Sequence, residues 1–352
     1  LDRKHDTHRT RGASPAANEL FDSSSRARPM HVIESTVSGR QHHADGPFPF
    51  VLENREPAAL DEACAWAEAQ RGALCARAEA CGAVFFRGFP LRTDLDFDRF
   101  VGAFGLPNFA YEDSLSNAVR VNRTPRVFTA NEAPPEVTIF LHHEMAQTPI
   151  YPSKLFFFCE QPAAAGGATP LCRSDLLWTR LVDARPRFAD DCVRRGLKYS
   201  NVMPSADDAT SGMGRSWQST LRARSHEEAE ARLRGLGYSW RWQDDGCLRA
   251  TTPVLPAVRD LPDGRRTFFN QLIAAYRGWK DDRNDPSRAI TFGDEGPLDR
   301  EAVLEACAIA DELSFDVPWQ AGDVALVDNY VAMHGRRTFT GTRKVLASLV
   351  AA

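Results

Sequence analysis

The sequence lacks the marks of several large functional classes. It contains no run of about 18 apolar residues, so no membrane-spanning helix is expected. There is no Gly-x-Gly-x-x-Gly turn after a first strand and no phosphate-binding loop ending in Gly-Lys-Ser/Thr, which argues against the usual nucleotide cradles. Charge of one sign is not in excess: 43 Lys and Arg stand against 47 Asp and Glu, a net of -4, whereas a nucleic-acid surface needs clustered cations. The eight cysteines (Cys64, Cys75, Cys81, Cys159, Cys172, Cys192, Cys247 and Cys307) form no Cys-x-x-Cys pair and stand at no zinc-finger spacing from a histidine. Scattered in this way they read as small buried apolar groups of a reducing compartment, and a cytoplasmic location is expected. Histidine is scarce: of nine, five (His5, His8, His31, His42 and His43) precede residue 45.

What is present is an ordinary globular composition, 43% hydrophobic and 26% charged, in 352 residues. Residues 1–45 read as a disordered or leader segment, because Arg, Ser and Ala dominate and no apolar period emerges. Residues 46–352 read as a single domain. Leu60, Cys64 and Ala67 fall at helical spacing, and Ala83-Val84-Phe85-Phe86-Arg87 is an apolar strand ended by Gly88 and Pro90. Further strands are expected at 138–141, 154–159, 323–327 and 344–349, with helices at 97–104, 174–182, 225–234 and 299–313. Ser225 and Glu228 have the spacing of a capping box. Strands spread through the chain, with helices at the start and in insertions, fit a mainly β double-sheet jelly roll with helical decoration rather than a doubly wound sheet.

Three of the four remaining histidines lie in two short motifs. His142-His143-Glu144 follows an apolar strand, and in extended backbone residues i and i+2 face one side, so His142 and Glu144 converge while His143 turns away. His334 follows the strand that ends in Asp328-Asn329. Two imidazoles and one carboxylate hold Fe(II) on one face and leave three coordination positions open, room for a bidentate 2-oxo acid and O2. The same ligands on Zn(II) would suit a hydrolase, and a non-catalytic small-molecule-binding jelly roll would use the histidines merely as core residues.

An ordered series of blocks separates these readings. It runs Gly82–Pro90, Phe128–Glu132, His142–Gln147, Pro152–Phe157, Gly166-Gly167-Ala168-Thr169-Pro170, Phe269-Asn270-Gln271, Arg283–Pro286, Thr291–Asp294, and Asp328-Asn329 with His334–Arg337. With these blocks the chain resembles the taurine dioxygenase (TauD/TfdA) superfamily, in its clavaminate-synthase-like branch. The resemblance implies a double-stranded β-helix, cupin-like core. It implies Fe(II) on His142, Glu144 and His334, with 2-oxoglutarate and O2 as co-substrates. It further implies that Thr169, 27 residues after His142, and Arg343, nine after His334, contact 2-oxoglutarate. A guanidinium suits that role because it binds a carboxylate through parallel hydrogen bonds. A glutamate at position 144 speaks against a halogenase, in which a small residue leaves room for chloride.

The implied reaction oxidises, most simply hydroxylates, a small organic molecule, amino-acid-like or anionic, releasing succinate and CO2. No nucleic-acid or membrane partner is expected. Around the site, Asp328 and Asn329 are candidates to support His334, Arg336 or Arg337 to bind an anionic substrate, and Asn131, Lys154 and Asn270 to line the pocket. The irregular segment 202–225 is a candidate lid.

Overall fold

The computed structural model describes residues 30–116 and 118–351. Two sheets form its centre. The larger has seven strands in the order Val32–Ser35, Phe50–Asn54, Ala83–Arg87, Val324–Asp328, Lys154–Gln161, Lys344–Val350 and Val127–Thr129. The smaller has four, in the order Ser314–Asp316, Pro170–Arg173, Ala332–Arg336 and Ile139–His142. All neighbours pair antiparallel except Phe50–Asn54 with Ala83–Arg87. Packed face to face, the sheets make the expected jelly roll.

Burial on both faces explains the unbroken apolar runs. Along Lys154–Gln161, Leu155, Phe157 and Cys159 enter the core between the sheets with Leu171, Phe315 and Ala332. Phe156 and Phe158 point the opposite way, onto helices Leu60–Cys81 and Asp94–Gly102, where Ala63, Ala67, Phe97 and Phe100 receive them. Phe97 stacks on Phe158 at 5.2 Å, and each such ring contributes about 1.5–3 kcal/mol on burial. The smaller sheet is covered on its outer face by helices Ser174–Ala184, Leu272–Gly278 and Arg300–Glu312, which pack around Leu141, Cys172 and Met333. A third sheet (Ser239–Trp242, Leu248–Thr251, Leu197–Met203 and Ile290–Phe292) is built from the insertion between the two motifs.

Two local expectations are revised. The leader expected over residues 1–45 overlaps the larger sheet, because Val32–Ser35 pairs with Phe50–Asn54, Val32 opposite Asn54 and Ser35 opposite Val51. Four residues are too short for a period to register, so only the partner strand makes this one visible. Residues 1–29 lie outside the described residues. At helix His226–Gly235, Ser225 Oγ accepts from Glu228 N at 3.3 Å, but the Glu228 carboxylate takes the backbone N–H of Arg224 rather than that of Ser225. The capping box is therefore only half made. Among the described residues no helix is long and apolar enough to cross a membrane.

Candidate metal centre

His142 and His334 are directly opposed across the pairing of Ile139–His142 with Ala332–Arg336. Their ring centres are 4.3 Å apart. Glu144 joins them, and donor atoms of the three residues all lie within 4.8 Å of one another. His142 reaches this point from a strand end. Glu144 does not, because the strand stops at His142 and the chain turns, with Met145 at φ 58°. His142 and Glu144 thus converge as expected, but Glu144 does so through a turn and not through extended backbone.

What fixes Glu144 is Asn329. Its Oδ1 accepts the Glu144 backbone N–H at 2.7 Å, and its Nδ2 donates to the Glu144 carbonyl at 3.0 Å and to that of Pro152 at 2.8 Å. Asn329, expected beside His334, instead clamps the backbone of the carboxylate residue from 185 positions away. Asp328 does not support His334 either. It makes a buried ion pair with Lys154 at 3.1 Å, side chains 1% and 5% exposed. Lys154 therefore lies in the core and not in the pocket. Asn270 is likewise structural, donating to Ala257 O and accepting from Leu272 N. His143 turns away as expected and is buried against Asn329 O and Ser174 Oγ.

The donors are prepared for a cation. His142 gives its Nδ1–H to Phe140 O at 2.7 Å, which leaves Nε2 as a lone-pair donor. Burial, then the neighbouring His334, pull its pKa down to about 4, so the ring is neutral at physiological pH. Burial alone would raise the Glu144 pKa. Arg120 and His334 outweigh it and hold the carboxyl well below its usual range. Two imidazoles and an ionised carboxylate, gathered from two strands and a turn, match the donor set of a divalent-metal site with open positions.

Thr169 and Arg343 stand together beside this centre. Arg343 Nε donates to Gly167 O at 2.7 Å and its Nη2 to Thr169 Oγ1 at 3.2 Å. Trp319 Nε1 also donates to Thr169 Oγ1, at 2.9 Å. Both lone pairs of the threonine hydroxyl are then occupied, so its own proton is left for an acceptor from outside the chain. Arg343 has no carboxylate partner among the described residues, and burial, then Arg336, pull its pKa down to about 10. Lys344, next in sequence, points outward toward Glu160 as alternation requires.

Thr169, Arg343, His142, Glu144 and His334 line a cavity of about 430 Å³, together with Asn131, Gln147 and Phe157. Arg336 also reaches it, but its Nη1 and Nη2 are committed to the carbonyls of Asn131, Ala133, Pro134 and Val137. It fastens that loop, while Arg337 pairs with Asp316 on the surface. Neither offers the anion site expected of this pair. Part of the segment expected as a lid borders the cavity: Thr210, Ser211, Gly212 and Met213 line it, as do Lys280–Arg283. Arg283 Nη2 donates to Asp208 at 2.8 Å and Asp281 at 2.7 Å, and Ser211 Oγ donates to Asp281 at 2.9 Å. Gly214 permits the tight loop here, since a Cβ there would fall 1.7 Å from Asp208 O.

Sequence reasoning missed Arg120, Trp319 and the true target of Asn329. Trp319 and Asn329 act on residues 150 and 185 positions away, and Arg120 is a single arginine with no local pattern around it.

The model of the family described as taurine catabolism dioxygenase TauD, TfdA family matches residues 45–349. A clavaminate synthase-like protein of Arabidopsis thaliana is 39% identical over 325 residues, covering 90% of this chain and 98% of that protein. The dapdiamide synthesis protein DdaC of Enterobacter agglomerans is 27% identical over 283 residues, covering 76% and 82%. Among solved structures, PvcB of Pseudomonas aeruginosa superposes with a TM-score of 0.51 at 13% identity, over 92% of each chain. At that identity the likeness concerns the fold alone.

Proposed function

The chain belongs to the TauD, TfdA family of 2-oxoglutarate-dependent iron dioxygenases, and on that premise we propose that His142, Glu144 and His334 hold the Fe(II) and that Thr169 and Arg343 receive the distal carboxylate of 2-oxoglutarate. The observation that carries this reading is the Thr169–Arg343–Trp319 cluster. It offers one hydroxyl proton and a guanidinium without a counterion, beside a three-donor metal site. A metal hydrolase or a simple binding module has no use for such a clamp.

Iron bound at this site supplies the oxidation of a substrate C–H bond by O2, coupled to conversion of 2-oxoglutarate to succinate and CO2; we propose hydroxylation of a small organic molecule as the outcome. The chain does the rest. The Phe140 carbonyl keeps His142 in the tautomer that presents Nε2. Asn329 keeps Glu144 at a fixed distance from the histidines. Arg343 and Thr169 orient the co-substrate from its far end, so its keto acid end is directed at the three donors. The Asp208–Arg283–Asp281 latch narrows the way in for water, which would waste the oxidant.

The test is spectroscopic. Anaerobic Fe(II) and 2-oxoglutarate added to the protein should give the weak visible band of the chelate near ~500 nm, as expected of iron with open positions. His142→Ala should abolish the band, and Arg343→Ala should demand more 2-oxoglutarate to reach it. Absence of the band in folded wild-type protein would overturn the site assignment.

A further inference from the structure

Arg120 touches both the carboxylate of Glu144 and the cavity. Its side chain is 7% exposed, and its Nη2 donates to both Glu144 oxygens at 3.1 Å. The guanidinium lies over the rings of Tyr111 and Phe128, with centroids 4.9 and 5.3 Å from its carbon. Its Nε is buried without an acceptor, and among the described residues Nη1 makes no hydrogen bond. A buried arginine with donors unspent is costly unless an acceptor arrives.

The charges around it point the same way. Besides the two histidines, Arg120, Lys280, Arg283, Arg336 and Arg343 line the cavity against Glu144, Asp208, Asp281 and Asp282, a surplus of one positive charge, and Arg283 is taken up by Asp208 and Asp281. A divalent ion and a doubly charged 2-oxoglutarate cancel each other, so the surplus survives in the loaded site. Arg336 has given its Nη groups to four backbone carbonyls, and Arg343 belongs with Thr169 to the co-substrate clamp. Arg120 is left with an open donor beside the metal ligands.

We propose that Arg120 recognises a carboxylate on the primary substrate, and that the substrate class is therefore a small carboxylic acid, its acid group held close to the carbon that is oxidised. This rests on the metal and co-substrate assignment above. Chemically the same carboxylate could come from 2-oxoglutarate itself, and the experiment separates the two sources.

Wild-type and Arg120→Gln protein would be loaded with Zn(II), which is redox-inert, and titrated with 2-oxoglutarate by calorimetry. Each loaded protein would then be titrated with propionate and with propionamide, binding being read from the thermal unfolding midpoint. The expected result is that the variant still binds 2-oxoglutarate. Wild type should prefer the acid over the amide by about tenfold or more, the worth of a charge-assisted hydrogen bond, and the variant should show no preference. Equal response of wild type to acid and amide overturns the proposal, as does a preference that persists in the variant. Loss of 2-oxoglutarate binding in the variant also overturns it, by assigning Arg120 to the co-substrate. Should the glutamine variant not fold, Arg120→Lys keeps a cation against Glu144 but not the spare donor beyond it, and the preference should fall by at least about threefold; an unchanged ratio counts against the proposal. Failure of wild type to bind 2-oxoglutarate at all is a different result, refuting the site assignment on which the proposal rests.

Discussion

Replacing Asn329 with leucine removes three buried hydrogen bonds while keeping the branched outline of the side chain. Asn329 is fully buried, and its amide serves the Glu144 N–H, the Glu144 carbonyl and the Pro152 carbonyl. Each backbone group left unsatisfied costs about 1–3 kcal/mol, so the total is on the order of 4 kcal/mol after partial relaxation. For the roughly 320 described residues at ~2.1 cal/mol/K each, the unfolding entropy is about 0.7 kcal/mol/K, and the midpoint should fall by about 6 °C. The more telling effect is on the metal. With its backbone clamp gone, Glu144 samples positions away from the histidines, and metal affinity should drop by about 10–100-fold, as when support behind a ligand is removed. Calorimetric titration with Co(II), run beside thermal unfolding, measures both. A lowered midpoint with unchanged metal affinity would refute the reasoning, since Asn329 would then serve the fold but not the site.

Three further outcomes are expected. Thr169→Val removes the one hydroxyl proton left free by Trp319 and Arg343 and should raise the Kd for 2-oxoglutarate by about 5–30-fold with metal binding unchanged, by calorimetry. Lys154→Met strands Asp328, whose carboxylate is 1% exposed; this should cost about 3–5 kcal/mol in urea unfolding, and adding Asp328→Asn should restore part of it. The lid should loosen in acid. Thr210 and Arg283 lower the pKa of Asp208, and at Asp281 burial pushes upward but hydrogen bonds from Arg283, Asn284 and Ser211 prevail and lower it. Groups with depressed folded values contribute stability above the unfolded value of 3.8 and lose it as pH falls through the folded value. Protection against hydrogen exchange over residues 204–216, relative to the intrinsic rate at each pH, should therefore fall below about pH 4, and Asp208→Asn should show that lower protection already at neutral pH.

The parts of the molecule legible in its sequence are those that depend on neighbours along the chain. Lys154–Cys159 reads as a strand because both its faces are buried, and Leu60–Cys81 as a helix because its small apolar residues repeat at helical spacing. His142, Glu144 and His334 stand out because histidine is otherwise nearly missing after residue 45. Thr169 and Arg343 come from a family resemblance in which the offsets carry the information.

Tertiary structure alone decided which distant groups complete the site. An arginine, an asparagine and a tryptophan have the same local appearance whether they face water or a buried partner. Packing of the two sheets puts Arg120 against Glu144, Asn329 around its backbone and Trp319 on Thr169, across 24, 185 and 150 residues of chain. It also put Arg336, plausible from its place beside His334, onto four carbonyls. Periodicity encodes the face on which a side chain lies. The partner waiting on that face depends on how strands far apart in sequence come into register, and here that register set His142 opposite His334.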